Sequence, residues 1–168
     1  MSSSTLSTFE SSLAALDVGW TRTTPDAFAD DLAAVVDEPA VGVPLGIEGV
    51  SLEDTVVETP PTPRRLTEAE TGVTAVGKAV AEYGTLVVDS DPEGTEPVSL
   101  YPPKHVAVVR ESDVLPDVES VTDHLGERFA DGGSSVFATG VSATGDMGAI
   151  VEGVHGPQYV HVLILEEL

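Results

Sequence analysis

Short apolar runs that alternate with amphipathic stretches predict an α/β fold, a layered single domain with a mostly parallel sheet. Two segments carry that expectation. The final run, "YVHVLILEE", is apolar at successive positions, as suits a strand covered by helices on both faces. Val118, Val121, Leu125 and Phe129 instead recur at helical spacing after Pro116 and stop before Gly132-Gly133, which marks a helix and its end. At 168 residues the chain has room for one sizeable core, so residues 1–168 are expected to form one domain.

The other elements follow in order. Leu6, Phe9, Leu13 and Leu16 lie at helical spacing behind a Ser/Thr-rich start, predicting an amphipathic helix over 5–17. "VGWTR" is then a short strand. Thr24 as N-cap, Pro25 at the first helical position and Asp26 in the first turn open a second helix, whose apolar face is Phe28, Leu32 and Val35. "AVGVPLG" is a second strand. Residues 48–65 carry Pro60, Pro61 and Pro63 without sustained periodicity and predict an irregular connector. Thr67-Glu68-Ala69-Glu70 fits a capping box, and a helix is expected by Ala75 to Glu82. "GTLVVDS" is a buried strand, the acidic stretch 89–97 a loop, and "HVAVVRE" and "SSVFATG" two further strands. There are no internal repeats.

Composition narrows the function classes. The chain has 29 acidic and 7 basic residues, a formal net charge of −22. Phosphate backbones are bound by clustered Lys and Arg, which this surface lacks, so nucleic acid is not an expected partner. Because 41% of the residues are hydrophobic, the carboxylates belong to a folded, salt-adapted surface rather than a disordered tail. A halophilic source is therefore expected. In molar salt the Debye length falls to roughly 3 Å and carboxylate repulsion is screened, so the melting temperature should rise between dilute and molar KCl. An unchanged melting temperature would rule this out. With no Cys the chain forms no disulfide, supplies no thiolate to an iron–sulfur cluster and has no thiol nucleophile. No apolar run reaches the roughly 18 to 20 residues of a membrane span, and the start Met1-Ser2-Ser3-Ser4 lacks secretory-signal character, so a cytoplasmic location is expected. The four histidines are dispersed, and no metal site is expected.

Ligands of open parallel sheets bind at the carboxyl ends of strands. On that rule three loops qualify: Glu82 to Thr85, Ser99 to His105, and the Gly-rich closing stretch from Gly140 to Pro157. Together they resemble the LUD-domain family, the lactate utilization protein C group. The resemblance lies in "GVTAVGKAVAEYGTLVV", in Ser99-Leu100-x-Pro102-Pro103-x-His105, and in Gly140-x-Ser142-x-Thr144-x-Asp146 followed by Gly153-Val154-His155-Gly156-Pro157. It runs in order from about Thr71 to the C-terminus, while residues 1–60 match only in their helix-strand rhythm. Val141 stands where the family usually has Pro, and Gly148 where it usually has an acidic or amide residue. The resemblance implies a fold similar to the sugar-phosphate isomerase and CoA-transferase type. It also implies a role in oxidising L-lactate to pyruvate beside Cys-rich iron–sulfur partners, with no cofactor bound by this chain.

The candidate catalytic residues are His155, Glu82 and Asp146. His155 sits between Gly153 and Gly156-Pro157, and an imidazole suits proton transfer to or from a hydroxy acid; it could equally tie down the loop. Glu82 is a possible base or a charge at a helix end, and Asp146 either caps a helical turn or touches a ligand. Gly84, Thr85, Ser142, Thr144, His105 and Gly156 are the candidate ligand-binding residues, with hydrogen bonding favoured over covalent catalysis for the hydroxyls. The expected ligand is a small anion, a carboxylate, held by the three loops. A stand-alone isomerase or acyl/CoA-transferase acting on a phosphorylated or CoA-linked small molecule is the alternative, and a binding or sensor module a third. Whether the chain is itself catalytic stays open at this point.

Overall fold

The computed structural model describes residues 3–146, 148–153 and 155–167. Leu6, Phe9 and Leu13 form one buried stripe of α1 (Ser3–Ala15), and Phe28 and Leu32 form another on α2 (Phe28–Val35). Thr24 does not cap α2 as expected: its hydroxyl accepts from the Ala27 N–H at 3.3 Å within the turn over 25–27, and the helix begins only at Phe28, behind Ala27. Between and after these helices run β1 (Gly19–Thr23), β2 (Ala40–Gly42), β3 (Val57–Glu58), β4 (Thr71–Ala75), β7 (Lys104–Arg110) and β12 (Tyr159–Leu165). They form a six-stranded sheet in the order β3-β2-β4-β7-β12-β1, with every neighbour parallel. The central strands alternate between two cores, as strand geometry requires. Ala107, Val109, Val162 and Ile164 meet α1, whereas Val106, Val108 and Leu163 meet α2.

A second sheet packs into the same core as α1, in the order β8-β5-β6-β9: β5 (Lys78–Val80), β6 (Thr85–Asp89), β8 (Val114–Leu115) and β9 (Ser135–Thr139). The β5–β8 pair is parallel and the other two are antiparallel. Leu86, Val88 and Ala79 face the α1 core, while Val80 and Val87 face Val121 and Leu125 of the last helical segment. That segment, a 3₁₀ turn over Glu119–Val121 running into α5 (Thr122–Ala130), has the expected extent, but Val118 and Phe129 of its stripe stay exposed. No helix among the described residues is long and apolar enough to cross a membrane.

Three local expectations are overturned. Residues 75–82 form no helix: β4 ends at Ala75 and β5 takes Lys78–Val80, because Thr71, Val73 and Thr74 are β-branched and buried and Gly72 and Gly77 disfavour helix. The connector 48–65 is mostly irregular, as expected, and adds only β3 and the start of α3 (Pro63–Glu68), capped by Thr62, whose hydroxyl accepts from the Arg65 N–H at 3.2 Å. The acidic loop gives way to α4 (Thr95–Leu100), opened by Asp91, whose carboxylate accepts from the N–H groups of Gly94 and Thr95 at 3.0 Å each. After Gly140 the chain makes a hairpin, β10 (Ala143–Asp146) with β11 (Ala149–Glu152), which removes the helical cap that was one of the two readings of Asp146. Asp146 lies opposite Ala149, the chain reverses beside Gly148 at φ +81°, and β-branched Thr144, Ile150 and Val151 favour the extended form.

Candidate functional site

The three motif loops meet around one cavity of about 240 Å³, between the six-stranded sheet and β6 and β9 of the second sheet. Its walls are apolar side chains from four elements, among them Leu13, Leu86, Val136 and Val160. Polar groups enter from Ser99 and His105, from Thr139, and from Ser142 and His155. The cavity opens at the amino ends of the central strands, since His105 and Val160 are the second residues of β7 and β12. The carboxyl-end rule therefore does not describe these loops: Ser99 to His105 and Gly153 to Pro157 lead into parallel strands rather than out of them. A second cavity of about 230 Å³ does lie at the carboxyl ends, with Asp89, Asp91, Thr95, Arg110 and Asp113 in its walls.

Backbone hydrogen bonds stitch the loops together. Ser142 N–H donates to the Pro157 carbonyl and Gly153 N–H to the Ser142 carbonyl, each at 2.8 Å. Gln158 N–H reaches back to the Pro103 carbonyl at 2.8 Å, joining the closing loop to the one before β7. The loop before β6 is held from α1, where the Ser12 hydroxyl donates to the Ala81 carbonyl at 2.7 Å.

Of the candidate residues, Gly84, His105, Ser142, His155 and Gly156 line this cavity. Among these, His155 is exposed and Gly84 is buried. Thr85 stands one step behind: its hydroxyl shares a 2.7 Å hydrogen bond with that of Thr139, which does line it. Glu82 is exposed in the turn before β6 and is not part of the lining. Thr144 pairs with Val151 in the hairpin, away from the lining. Asp146 is placed by its backbone alone, and its side chain lies outside the described residues. Glu82 and His155 thus do not converge. Thr139 was missed, although "FATG" runs straight into the Ser142 motif; the apolar walls carry no signal of their own, since in sequence they read as core. No group of three or more His, Cys, Asp or Glu that could hold a metal ion stands among the described residues.

The family model for the LUD domain matches residues 28–165. The chain belongs to the LUD-domain family. It is similar to the lactate utilization protein C of Deinococcus radiodurans, 29% identical over 126 residues that cover 74% of this chain and 59% of that protein. The Bacillus licheniformis lactate utilization protein C is 31% identical over 109 residues, covering 62% of this chain and 45% of that one. This LUD chain therefore spans about half the length of the curated relatives it matches. The crystal structure of a DUF162 family protein from Deinococcus radiodurans superposes with a TM-score of 0.73 over 98% of this chain and 99% of that chain at 23% identity, a likeness of fold.

The electrostatics of this LUD cavity centre on His105, which is 2% exposed. Its Nε2 lies 2.9 Å from the Thr74 hydroxyl, and burial lowers its pKa from 6.5 to about 4. His161, one residue beyond Val160 and so on the opposite face of β12, lies 2.9 Å from the Thr21 hydroxyl; burial lowers its pKa, with the charge of Lys104 adding to the effect. The sign of the linkage follows. Between pH 6.5 and about 4 the unfolded chain protonates position 105 and the folded chain does not, so stability falls as pH falls through that window. The loss from His105 alone should approach about 3 kcal/mol by pH 4. Urea midpoints measured from pH 7 to 4 should show this slope, and His105→Asn should flatten it.

Proposed function

We propose that this LUD chain serves in L-lactate utilization, in the oxidation of L-lactate to pyruvate beside Cys-rich iron–sulfur proteins, with the three-loop cavity as its ligand site. The observation that carries the reading is convergence: Gly84, His105, Ser142 and His155, drawn from loops spread over more than seventy residues, line one cavity. The names of the lactate utilization relatives supply the pathway. A small carboxylate belongs at the mouth, where His155 is exposed and the N–H of Gly156 is at hand. There His155 is the proton-transfer group, Ser142 a hydrogen-bonding group and Thr85 a positioning residue acting through Thr139. Glu82, Thr144 and Asp146 are given no contact with the ligand. Since this chain has no Cys, thiolate-held iron–sulfur clusters belong to the partner. The acidic surface is that of a halophilic cytoplasm.

The test is a deletion strain grown in molar KCl on lactate or pyruvate and complemented with wild type or His155→Ala. The strain should fail on lactate alone, His155→Ala should restore growth poorly, and affinity purification should bring down a Cys-rich iron–sulfur protein. Normal growth on lactate would overturn the reading. Turnover of a phosphorylated or CoA-linked substrate by the purified chain alone would favour the isomerase or acyl-transferase alternative.

A further inference from the structure

The interior of the same cavity does not suit a small anion. None of the seven lysines and arginines lines it. Each stands in an ion pair elsewhere: Arg22 with Glu10, Arg64 with Glu68, Arg65 with Glu58, Lys78 and Arg110 with Asp113, Lys104 with Asp37 and Arg128 with Asp89. No Asp or Glu lines it either. A carboxylate pushed past the mouth would lose its water without gaining a counter-charge. The volume agrees, since an apolar cavity of about 150 Å³ holds benzene, and about 240 Å³ exceeds what a three-carbon acid fills.

One polar group marks what this interior accepts. Thr74 is fully buried, and its hydroxyl has one partner among the described residues, His105 Nε2. A buried O–H without an acceptor is costly, so Thr74 donates and Nε2 accepts. The proton of the neutral ring then sits on Nδ1, which has no partner among the described residues, and His105 lines the cavity. We propose that the interior binds an uncharged molecule with an apolar body of one to two rings and a carbonyl oxygen that accepts from His105 Nδ1–H. The proposal rests on the reading of this cavity as the ligand site and names the class of ligand inside it.

Three probes of nearly equal size separate the terms: acetophenone, neutral with a carbonyl; benzoate, anionic; and ethylbenzene, without oxygen. Binding to the full chain in molar KCl is read by ligand-observed NMR. Acetophenone should bind saturably, about tenfold or more tighter than benzoate. It should also bind about two- to tenfold tighter than ethylbenzene, the net worth of one hydrogen bond. His105→Phe should erase the advantage over ethylbenzene, and Ala138→Phe, which fills the cavity from β9, should abolish binding of both, with folding of each variant checked by urea denaturation. Benzoate binding as tightly as acetophenone, no saturable acetophenone binding, or unchanged binding to a folded Ala138→Phe would each overturn the proposal. Such a failure leaves the lactate-growth result untouched, whereas normal growth of the deletion strain with acetophenone binding intact overturns the lactate role and upholds the ligand class.

Discussion

Gly72→Ala should lower the stability of the domain by at least about 3 kcal/mol, beyond the usual range for overpacking, because the clash is with backbone. Gly72 lies inside the six-stranded sheet, paired with Val41 on one side and His105 on the other. A methyl group there would fall 2.0 Å from the Val98 carbonyl oxygen of α4 and 3.2 Å from Pro102. No rotamer relieves that contact, so α4 must lift from β4 and take Ser99 away from the cavity wall. Urea denaturation followed by far-UV circular dichroism measures the effect. Gly126→Ala is the control: nothing lies within 4 Å of a methyl group at that position of α5, so it should stabilise by up to about 1 kcal/mol. A wild-type midpoint for Gly72→Ala would mean that α4 has room to move off the sheet.

Asp113→Ala should cost about 3 kcal/mol. Asp113 is 5% exposed, and its two carboxylate oxygens take Lys78 Nζ at 2.5 Å and Arg110 Nε at 2.6 Å. Lys78 belongs to β5 of the small sheet and Arg110 ends β7 of the large one, so a single carboxylate ties the sheets together at the carboxyl edge. Removing it leaves two cations facing each other without their counter-charge, which is far more harmful than never having had the pair. The value sits at the low end for broken buried pairs because both cations keep some access to water. Because Asp113 itself is buried, salt screens this contact less than it screens repulsion between exposed carboxylates, so most of the loss should persist in molar KCl. A midpoint that recovers in salt would show that the contact behaves as a surface pair.

Elements with one unambiguous period were legible from residues alone. The stripe Leu6, Phe9 and Leu13 reads as α1, the face Phe28, Leu32 and Val35 reads as α2 although its start lies three residues past the expected Pro25, the run of β7 reads as a strand, and that of β12 as a strand covered on both faces. Residues 75–82 misled because "AVGKAVAE" carries alanines of good helix propensity, while pairing of Lys78 to Val80 with both β6 and β8 outweighs that propensity. The end of the sheet at which the motif loops gather was legible by contrast: Ser99 to His105 and Gly153 to Pro157 precede the strands "HVAVVRE" and "YVHVLILEE", and a loop that enters a strand lies at its amino end, so the carboxyl-end rule did not apply to them.

The site divides in the same way. His155, Ser142, Gly156, His105 and Gly84 stand in Gly-, Pro- and hydroxyl-rich loops whose composition marks them, and all five line the cavity. The charge balance of 29 to 7 is a property of the sequence and sets how the surface responds to salt. That the cavity holds no lysine or arginine was decided by tertiary structure alone, because each of the seven is drawn to a carboxylate elsewhere, some brought close only by folding, as Asp37 is to Lys104. Local periodicity settles what a segment can bury, and long-range pairing settles which charges are left to meet a ligand.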